Sequence, residues 1–257
     1  MGSLGRLDDA FLLLKPDCLR RGLGAEVDRT VAAAGLTVAG RRDLTLSPAD
    51  VRALWAEYDD SGHGLTLGFL DRYLTTGPSG LLLVSGPDAF EAARRVKREV
   101  RSRFAEGPFA NVIHAAELPA ELARQRDHLT GVDQAAAKPA SRPRGMDFRA
   151  HVDVPALVDE VWPLIQGEPA DPGPYQLDPG VKGVVVLGPD RRHTLDSTVT
   201  ALWHALPGVE PRRAVLLAMH AGFSGGSPIA VGGRAALRRC LRALREHGLA
   251  NVSLVPV

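Results

Sequence analysis

Cysteine and net charge are both scarce in this sequence, and each shortage excludes a class of protein. Its 257 residues include two cysteines, Cys18 and Cys240, which lie far apart and have no His or Cys neighbour at metal-ligand spacing. Neither a disulfide framework nor a zinc site is therefore expected, and we interpret both side chains as reduced thiols. The formal net charge of +1 argues against a chain built mainly to bind nucleic acid.

Long hydrophobic runs are missing as well. No run approaches the roughly 18 apolar residues that would cross a bilayer, and the first residues lack the pattern of a signal sequence. A hydrophobic share of 45% with 24% charged residues is ordinary for a globular chain. We expect a cytoplasmic protein with no membrane partner, and its length suggests two domains of roughly 100 to 150 residues each.

The N-terminal half alternates strand and helix signals. Apolar patterns and turn signals predict strands at 10–14, 36–46, 80–85 and 112–115, and helices at 25–34, 48–58, 68–73 and 87–104. Ser47 followed by Pro48 is the start signal of the second helix. The order of elements predicts a ferredoxin-like βαββαβ domain with additions over residues 1–132.

A stretch with two prolines and no periodicity predicts a linker at 133–146, and a second domain over 147–257. Apolar runs there predict strands at 184–187, 214–219 and 252–257, with helices at 154–165, 194–206 and 233–247. Strands that alternate with helices imply parallel pairing. This half is therefore predicted to be a small three-layer α/β domain, and its role is unknown.

Two segments of the N-terminal half carry a family resemblance. The first is Lys15–Val27, KPDCLRRGLGAEV, directly after a strand, and the second is Asn111–His114, NVIH. Between them Gly77-Pro78 precedes another strand. Taken together and in this order, the segments resemble the nucleoside diphosphate kinase family over about the first half of the chain.

The resemblance implies a phosphohistidine enzyme with His114 as the nucleophile that carries the phosphate. Lys15 and Arg101 match family positions: Lys15 can supply a charge to the phosphates or a donor to the ribose, and Arg101 a planar fork for the phosphates. Asn111 matches the residue that binds the sugar hydroxyl. These residue types suit the chemistry, because neutral imidazole is a good nucleophile at physiological pH and cations hold polyphosphate oxygens. By resemblance, Mg²⁺ arrives with the nucleotide. Kinases of this family usually assemble into hexamers or tetramers, but the added domain and the altered loop could block those contacts, so the oligomeric state stays open and our own expectation is a dimer.

Several positions depart from the family pattern. The stretch before His114 is shorter, which removes a loop with a second phosphate-contacting arginine, and Arg95 is the candidate replacement. Trp55 stands where the family has a tyrosine near the active site. A family glutamate that orients the histidine corresponds by spacing to Gln125, and the family serine after the histidine is absent.

The C-terminal half contains one glycine-rich segment that could bind a second anion. A predicted strand followed by Gly-x-x-Gly-Gly and a helix would present backbone N–H groups to a phosphate. The candidate residues are Gly222, Ser224, Gly225 and Gly226. His220, at the end of the predicted strand, and Asp196, at a helix start, lie where open α/β sheets place ligands.

The sequence thus predicts a phosphotransferase that moves the γ-phosphoryl group of ATP or another nucleoside triphosphate through His114 to a nucleoside diphosphate or a specialised phosphorylated acceptor. Two alternatives stay open. The first is a catalytically degenerate domain that binds nucleotide as a sensor or scaffold. The second is an enzyme whose chemistry lies in the C-terminal glycine-rich loop.

Overall fold

The computed structural model describes residues 8–60, 63–131, 152–190 and 193–256. The chain divides into two compact units, Met1–Glu57 with Leu70–Arg142, and Tyr58–Phe69 with Pro143–Val257. The predicted linker, 133–146, lies outside the described residues. No local sequence signal indicated that Tyr58–Phe69, a segment within the N-terminal half, belongs to the second unit.

The described residues of the N-terminal half form four strands and seven helices. In chain order they are β1 (Asp9–Leu14), α1 (Pro16–Arg20), α2 (Gly24–Ala33), β2 (Thr37–Leu44), α3 (Pro48–Leu54), α4 (Ala56–Asp60), α5 (Gly64–Leu74), β3 (Ser79–Ser85), α6 (Ala89–Phe104), β4 (Ile113–His114) and α7 (Pro119–Gly131). The four strands form one sheet in the order β2-β3-β1-β4, and each neighbouring pair is antiparallel. This arrangement is that of the predicted ferredoxin-like domain.

Burial explains why β1 lies inside the sheet. Its sequence DAFLLL is buried at every position after Asp9, because β3 and β4 pair with its two edges and helices pack against it. Helix α3 begins as predicted, with Ser47 and Asp50 forming a capping box. The basic helix α6 buries an apolar stripe that includes Phe90, Val96 and Val100, and it contacts β1, β3 and β4.

Two helices of this half were not predicted. Helix α1 begins at Pro16, directly after β1, where the Lys-Pro-Asp sequence suggested only a turn. Proline is well tolerated in the first turn of a helix, so the turn signal was also a helix start. Helix α7 buries Leu122, Gln125 and Leu129 on one face, and the polar glutamine in the middle of that face obscured the apolar periodicity.

The C-terminal half has four strands, four α-helices and a short 3₁₀ helix at Trp162–Leu164 among its described residues. The other elements are α8 (Val154–Val161), β5 (Tyr175–Gln176), β6 (Gly183–Leu187), α9 (Leu195–Ala205), α10 (Pro211–Phe223), β7 (Ser227–Val231), α11 (Arg234–Glu246) and β8 (Val252–Pro256). Their sheet has the order β5-β7-β6-β8. Helices α8, α9 and α11 and strands β6 and β8 were predicted within a few residues.

Two predictions for this half are wrong. The run 214–219 is not a strand but the centre of α10, in which every residue from Ala214 to Met219 is buried. A helix buried on all sides has the same continuous apolar sequence as a buried strand, so periodicity could not separate the two. The predicted parallel pairing also fails, because β6 pairs antiparallel with both β7 and β8, and only β5 and β7 are parallel.

The three-layer arrangement is not supported either. Buried and half-buried residues alternate along β6, which is the pattern of a sheet covered on one face. Both cysteines are buried free thiols. Among the described residues, none of the helices has the length and apolar character that crossing a membrane requires.

Candidate active site

His114 lies on β4 in an apolar, largely closed environment. Its side chain is 8% exposed, and its ring centroid is 4.9 Å from that of Trp55 and 6.1 Å from that of Phe11. The Nε2 atom lies 3.0 Å from Oε1 of Gln125, whose Nε2 donates to the Leu54 carbonyl at 2.8 Å. Because Gln125 uses its amide N–H there, its oxygen faces the ring and favours the tautomer with hydrogen on Nε2. The Nδ1 lone pair of His114 then has no hydrogen-bond donor among the described residues.

Burial and neighbouring cations keep this imidazole neutral. Desolvation is the largest cause that lowers the pKa of His114 from 6.5 to about 3, and the positive charges of Lys15, Arg101 and Lys97 lower it further. The hydrogen bond to Gln125 acts in the opposite direction. The imidazole of His114 is therefore unprotonated over the whole physiological pH range.

Lys15 lies at the end of β1 and is 3% exposed. Its Nζ donates to Oδ1 of Asn111 at 2.6 Å and lies 5.5 Å from the centre of the Tyr73 ring. Asn111 is oriented by its own Nδ2, which donates to the Pro108 carbonyl at 2.7 Å. Burial, and then the charge of Arg101, hold the pKa of Lys15 well below its ordinary value. A nearby anion would reverse that shift, so this ammonium group favours a phosphate as its partner.

The backbone just before His114 is held in a strained turn. Val112 has a φ of 59°, and the Ile113 N–H donates to the Asn111 carbonyl at 2.7 Å across it. A β-branched residue in this conformation costs on the order of 1 to 3 kcal/mol. The Val112 N–H donates to Asp17 Oδ2 at 3.0 Å, and the Val112 carbonyl accepts from the Lys15 N–H at 2.9 Å. Asp17 thus has a structural role, because it holds the backbone of this turn.

Helix α6 brings two cations to the site. Arg101 Nε donates to the Ile113 carbonyl at 2.9 Å, and its Nη atoms have no hydrogen bond among the described residues. Desolvation lowers the pKa of Arg101. Lys97, one turn earlier, lies close enough to affect the pKa values of both His114 and Lys15. Arg95 is exposed on another face of the helix, so the structure does not bring it together with the other candidates.

Five of the six residues predicted for this site therefore come together in the structure. They are His114, Lys15, Asn111, Arg101 and Trp55. Lys97 and Tyr73 also lie beside these residues and were not predicted from the sequence. Lys97 was indistinguishable from the other basic residues of α6 except by its position one helical turn before Arg101, which is a usable signal. Nothing local to Tyr73 in the sequence indicated its contact with Lys15.

The proposed second anion site loses its structural basis. The predicted order of strand, glycine loop and helix is wrong, because Gly222 lies in the last turn of α10 and Ser224 is its C-cap. Gly225 and Gly226, with φ of 78° and 136°, then lead into a strand. A helix C-terminus presents carbonyl oxygens, which repel an anion. His220 lies in the last turn of α10, with Nδ1 3.1 Å from the Pro169 carbonyl.

Asp196, the other candidate of the C-terminal half, has a structural partner within the second unit. Its carboxylate accepts from the backbone N–H of Leu65 and of Thr66, both at 2.9 Å, and from the Thr66 hydroxyl. It is 3% exposed. The carboxylate therefore serves as the N-terminal cap of α5.

A divalent cation fits the site only as part of a nucleotide complex. Among residues 8–60, 63–131, 152–190 and 193–256, no group of three or more His, Cys, Asp or Glu side chains could hold a metal ion. The carboxylate of Asp17, whose charge acts on Lys15, accepts from the Val112 N–H. Magnesium would therefore depend on phosphate oxygens for most of its ligands.

Comparison with known proteins finds relatives for about half of the chain. No protein-family model matches the chain. The nucleoside diphosphate kinase of Mycobacteroides abscessus is 30% identical over 126 residues, which are 45% of this chain and 90% of that protein. This chain belongs to the nucleoside diphosphate kinase family. The family portion is the N-terminal half, and the corresponding enzyme of Ignicoccus hospitalis is 28% identical over 129 residues, 46% of this chain and 86% of its own.

Solved structures of the family are similar to the same portion. The nucleoside diphosphate kinase of Aquifex aeolicus matches with 18% identity and a TM-score of 0.42, covering 48% of this chain and 94% of its own. A nucleoside diphosphate kinase family protein of Babesia bovis matches with 20% identity and a TM-score of 0.43, covering 52% and 96%.

Proposed function

We propose that this nucleoside diphosphate kinase family member is a phosphotransferase that moves the γ-phosphoryl group of a nucleoside triphosphate through His114 to a nucleoside diphosphate. The observation that carries the proposal is a single neutral imidazole, with its Nε2 held by Gln125 and its Nδ1 unengaged among the described residues, beside Lys15 and Arg101. A nucleophile and cations for phosphate oxygens are the parts that phosphoryl transfer requires.

In the first half-reaction, the Nδ1 lone pair of His114 attacks the γ-phosphorus in line with the bond to the leaving nucleoside diphosphate. The N–P bond forms as the P–O bond breaks, and the bonding electrons of P–O leave on the diphosphate oxygen. The ring gains positive charge, and Gln125 Oε1, 3.0 Å from Nε2, stabilises the Nε2–H that carries part of it. No proton transfer is needed at this step.

In the second half-reaction, a terminal oxygen of an acceptor diphosphate attacks the phosphohistidine, and the imidazole leaves with its lone pair restored. Lys15 and the Nη donors of Arg101 would bind the charged phosphate oxygens, while Asn111 would donate to or accept from a sugar hydroxyl. A magnesium ion bound with the nucleotide would neutralise part of the charge on the phosphates. The acceptor is a nucleoside diphosphate by family membership, and a specialised phosphorylated metabolite is the alternative.

A second candidate function is nucleotide binding without transfer, as a sensor or scaffold. It is favoured by Gln125, because a neutral amide stabilises a positive ring less than a carboxylate would. In that case Lys15 and Arg101 would still bind phosphates, and His114 would remain unmodified.

One experiment separates the two functions. The full chain and its His114→Ala variant are incubated with γ-labelled ATP and Mg²⁺ and quenched in alkali, because phosphohistidine is labile in acid. Label on the wild type alone, discharged by added nucleoside diphosphate, is the expected result. Absence of label on a wild-type protein that binds ATP by calorimetry would reject transfer and favour the sensor.

A further inference from the structure

Two cations of helix α6 hold the backbone on both sides of His114. Arg101 Nε donates to the carbonyl of Ile113, the residue before it, at 2.9 Å. Lys97 Nζ donates to the carbonyl of Ala115, the residue after it, at 3.0 Å. The two cations are four residues apart, so they lie one above the other on the same face of the helix.

Lys97 is an unusual residue to find in this position. Its side chain is 3% exposed, and its ionic partner is Glu117, whose side chain is 56% exposed and also contacts Arg94. Lysine is rarely so deeply buried, since its desolvation is costly and an apolar side chain of similar volume often serves stability as well. Desolvation accordingly lowers the pKa of Lys97, and Glu117 opposes that shift. Stability alone does not account for a lysine here.

We infer that Lys97 and Arg101 form a carbonyl clamp that positions His114, with Lys97 as a further positioning residue for the reaction. The clamp is defined by its two hydrogen bonds, to the Ala115 and Ile113 carbonyls. The inference rests on the proposed function for its catalytic consequence, while the geometry itself concerns only His114 and its neighbours.

The position of His114 needs such support because its strand is short. Strand β4 has two residues and pairs with β1 through Leu13 and Leu14 alone. Helix α7 does not begin until Pro119. Between these points Lys97 fixes the Ala115 carbonyl, while Glu121 accepts from the N–H groups of Glu117 and Leu118 farther on. Loss of the Lys97 bond would remove the hydrogen bond that holds the residue directly after His114. Misplacement of about 1 Å can lower a rate by about a hundredfold.

The clamp also places charge beside the imidazole. The charged groups around His114 come from the end of β1, from α1, from α6 and from the segment after β4, whereas α7 contributes the neutral Gln125. Lys15, Arg101 and Lys97 act on His114 itself, whereas Asp17 and Glu117 act on these cations. Lys97 is one of the three cations that lower the pKa of His114, so it both holds the ring in place and disfavours its protonation.

The test compares three variants of the full chain. Lys97→Met removes the charge and the donor while keeping the length and an apolar stem, and water can solvate the former partner Glu117, whose side chain is 56% exposed. Lys97→Arg keeps both charge and donors. Arg98→Met is the control: it removes one charge from an exposed residue of the same helix. Arg98 has no polar contact among the described residues. Each is assayed for the initial rate of labelling by γ-labelled ATP across pH, and for titration of the His114 ring by NMR.

Lys97→Met is expected to lower the labelling rate about tenfold or more and to move the His114 titration upward by about one pH unit. Lys97→Arg should restore most of the rate, and Arg98→Met should match the wild type. An unchanged rate and titration in a folded Lys97→Met would overturn the clamp. If the wild type takes no label, the proposed function fails, yet the ring titration still decides whether Lys97 acts on His114. If Lys97→Met does not fold, Lys97→Arg decides the question. A tenfold fall in its labelling rate, or a shift of its His114 titration by about one pH unit, would overturn the inference, because this variant keeps both the charge and the donors.

Discussion

Burial of a neutral histidine makes the first unit sensitive to acid, and the size of the effect follows from the structure. The pKa of His114 is about 3 in the folded chain against 6.5 for an unhindered side chain. Between these values the unfolded chain binds a proton that the folded chain does not, so stability rises with pH and is lost as pH falls. The slope is about 1.4 kcal/mol per pH unit, which gives about 2 to 3 kcal/mol between pH 7 and 4.5.

The perturbation is His114→Gln, which removes the titrating group. Urea unfolding is measured at several pH values for both proteins. Of the three tryptophans, Trp55 lies beside His114, so Phe replacements of Trp162 and Trp203 make fluorescence report the first unit alone. The free energy of unfolding of the variant minus that of the wild type should increase by about 2 to 3 kcal/mol on acidification from pH 7 to 4.5. All other groups titrate in both proteins, so their contributions cancel in this difference.

A matched control is His128→Gln in the same unit, a partly exposed histidine that hydrogen-bonds Asp50. The pH-dependent change in unfolding free energy, relative to the wild type, must be larger for His114→Gln than for this control. Parallel stability curves for wild type and His114→Gln would refute the account of a buried, unprotonated imidazole.

Three further predictions concern single contacts. Gln125→Glu should raise the pKa of His114, seen as an acid limb at higher pH in the labelling rate, and should destabilise the fold by about 1 to 3 kcal/mol because the Leu54 carbonyl loses its donor. Lys15→Met should weaken ATP binding at least about tenfold in calorimetry while the thermal midpoint changes little, and unchanged affinity would remove Lys15 from the phosphate site. Asp196→Ala should lower the urea midpoint of the second unit by an amount equivalent to about 2 to 4 kcal/mol, and Asp196→Asn should lower it less. Equal midpoints for the two variants would contradict the role of Asp196 as a cap.

The fold of the first unit could be predicted from the sequence because its elements have distinct local signals. The apolar run of β1, the Ser47-Pro48 start of α3 and the strong amphipathic pattern of α6 each specify one structure. The C-terminal sheet was predicted less well. The run Ala214–Met219 is apolar on all sides, so only its surroundings distinguish helix from strand. Strand direction was then inferred from an incorrect order of elements.

The site was predictable where motif residues are fixed by neighbouring strands. His114, Asn111 and Lys15 meet because β4 pairs with β1, which brings the two motifs together. Contacts made by helix faces were not predictable in the same way. Arg101 was expected to bind phosphate alone, whereas it also holds the Ile113 carbonyl, and Lys97 became visible as a site residue only through its burial.

The central claim is that Nδ1 of His114 carries a phosphoryl group, and ³¹P NMR of the phosphorylated full chain tests it most directly. Phosphate on Nδ1 and phosphate on Nε2 of histidine give separate signals, and Gln125 engages Nε2 in the structure. After reaction with ATP and Mg²⁺, we predict one signal of Nδ1-phosphohistidine that is absent from His114→Ala and disappears on addition of nucleoside diphosphate. An Nε2 signal, or no phosphohistidine in a protein that binds ATP, would contradict the account.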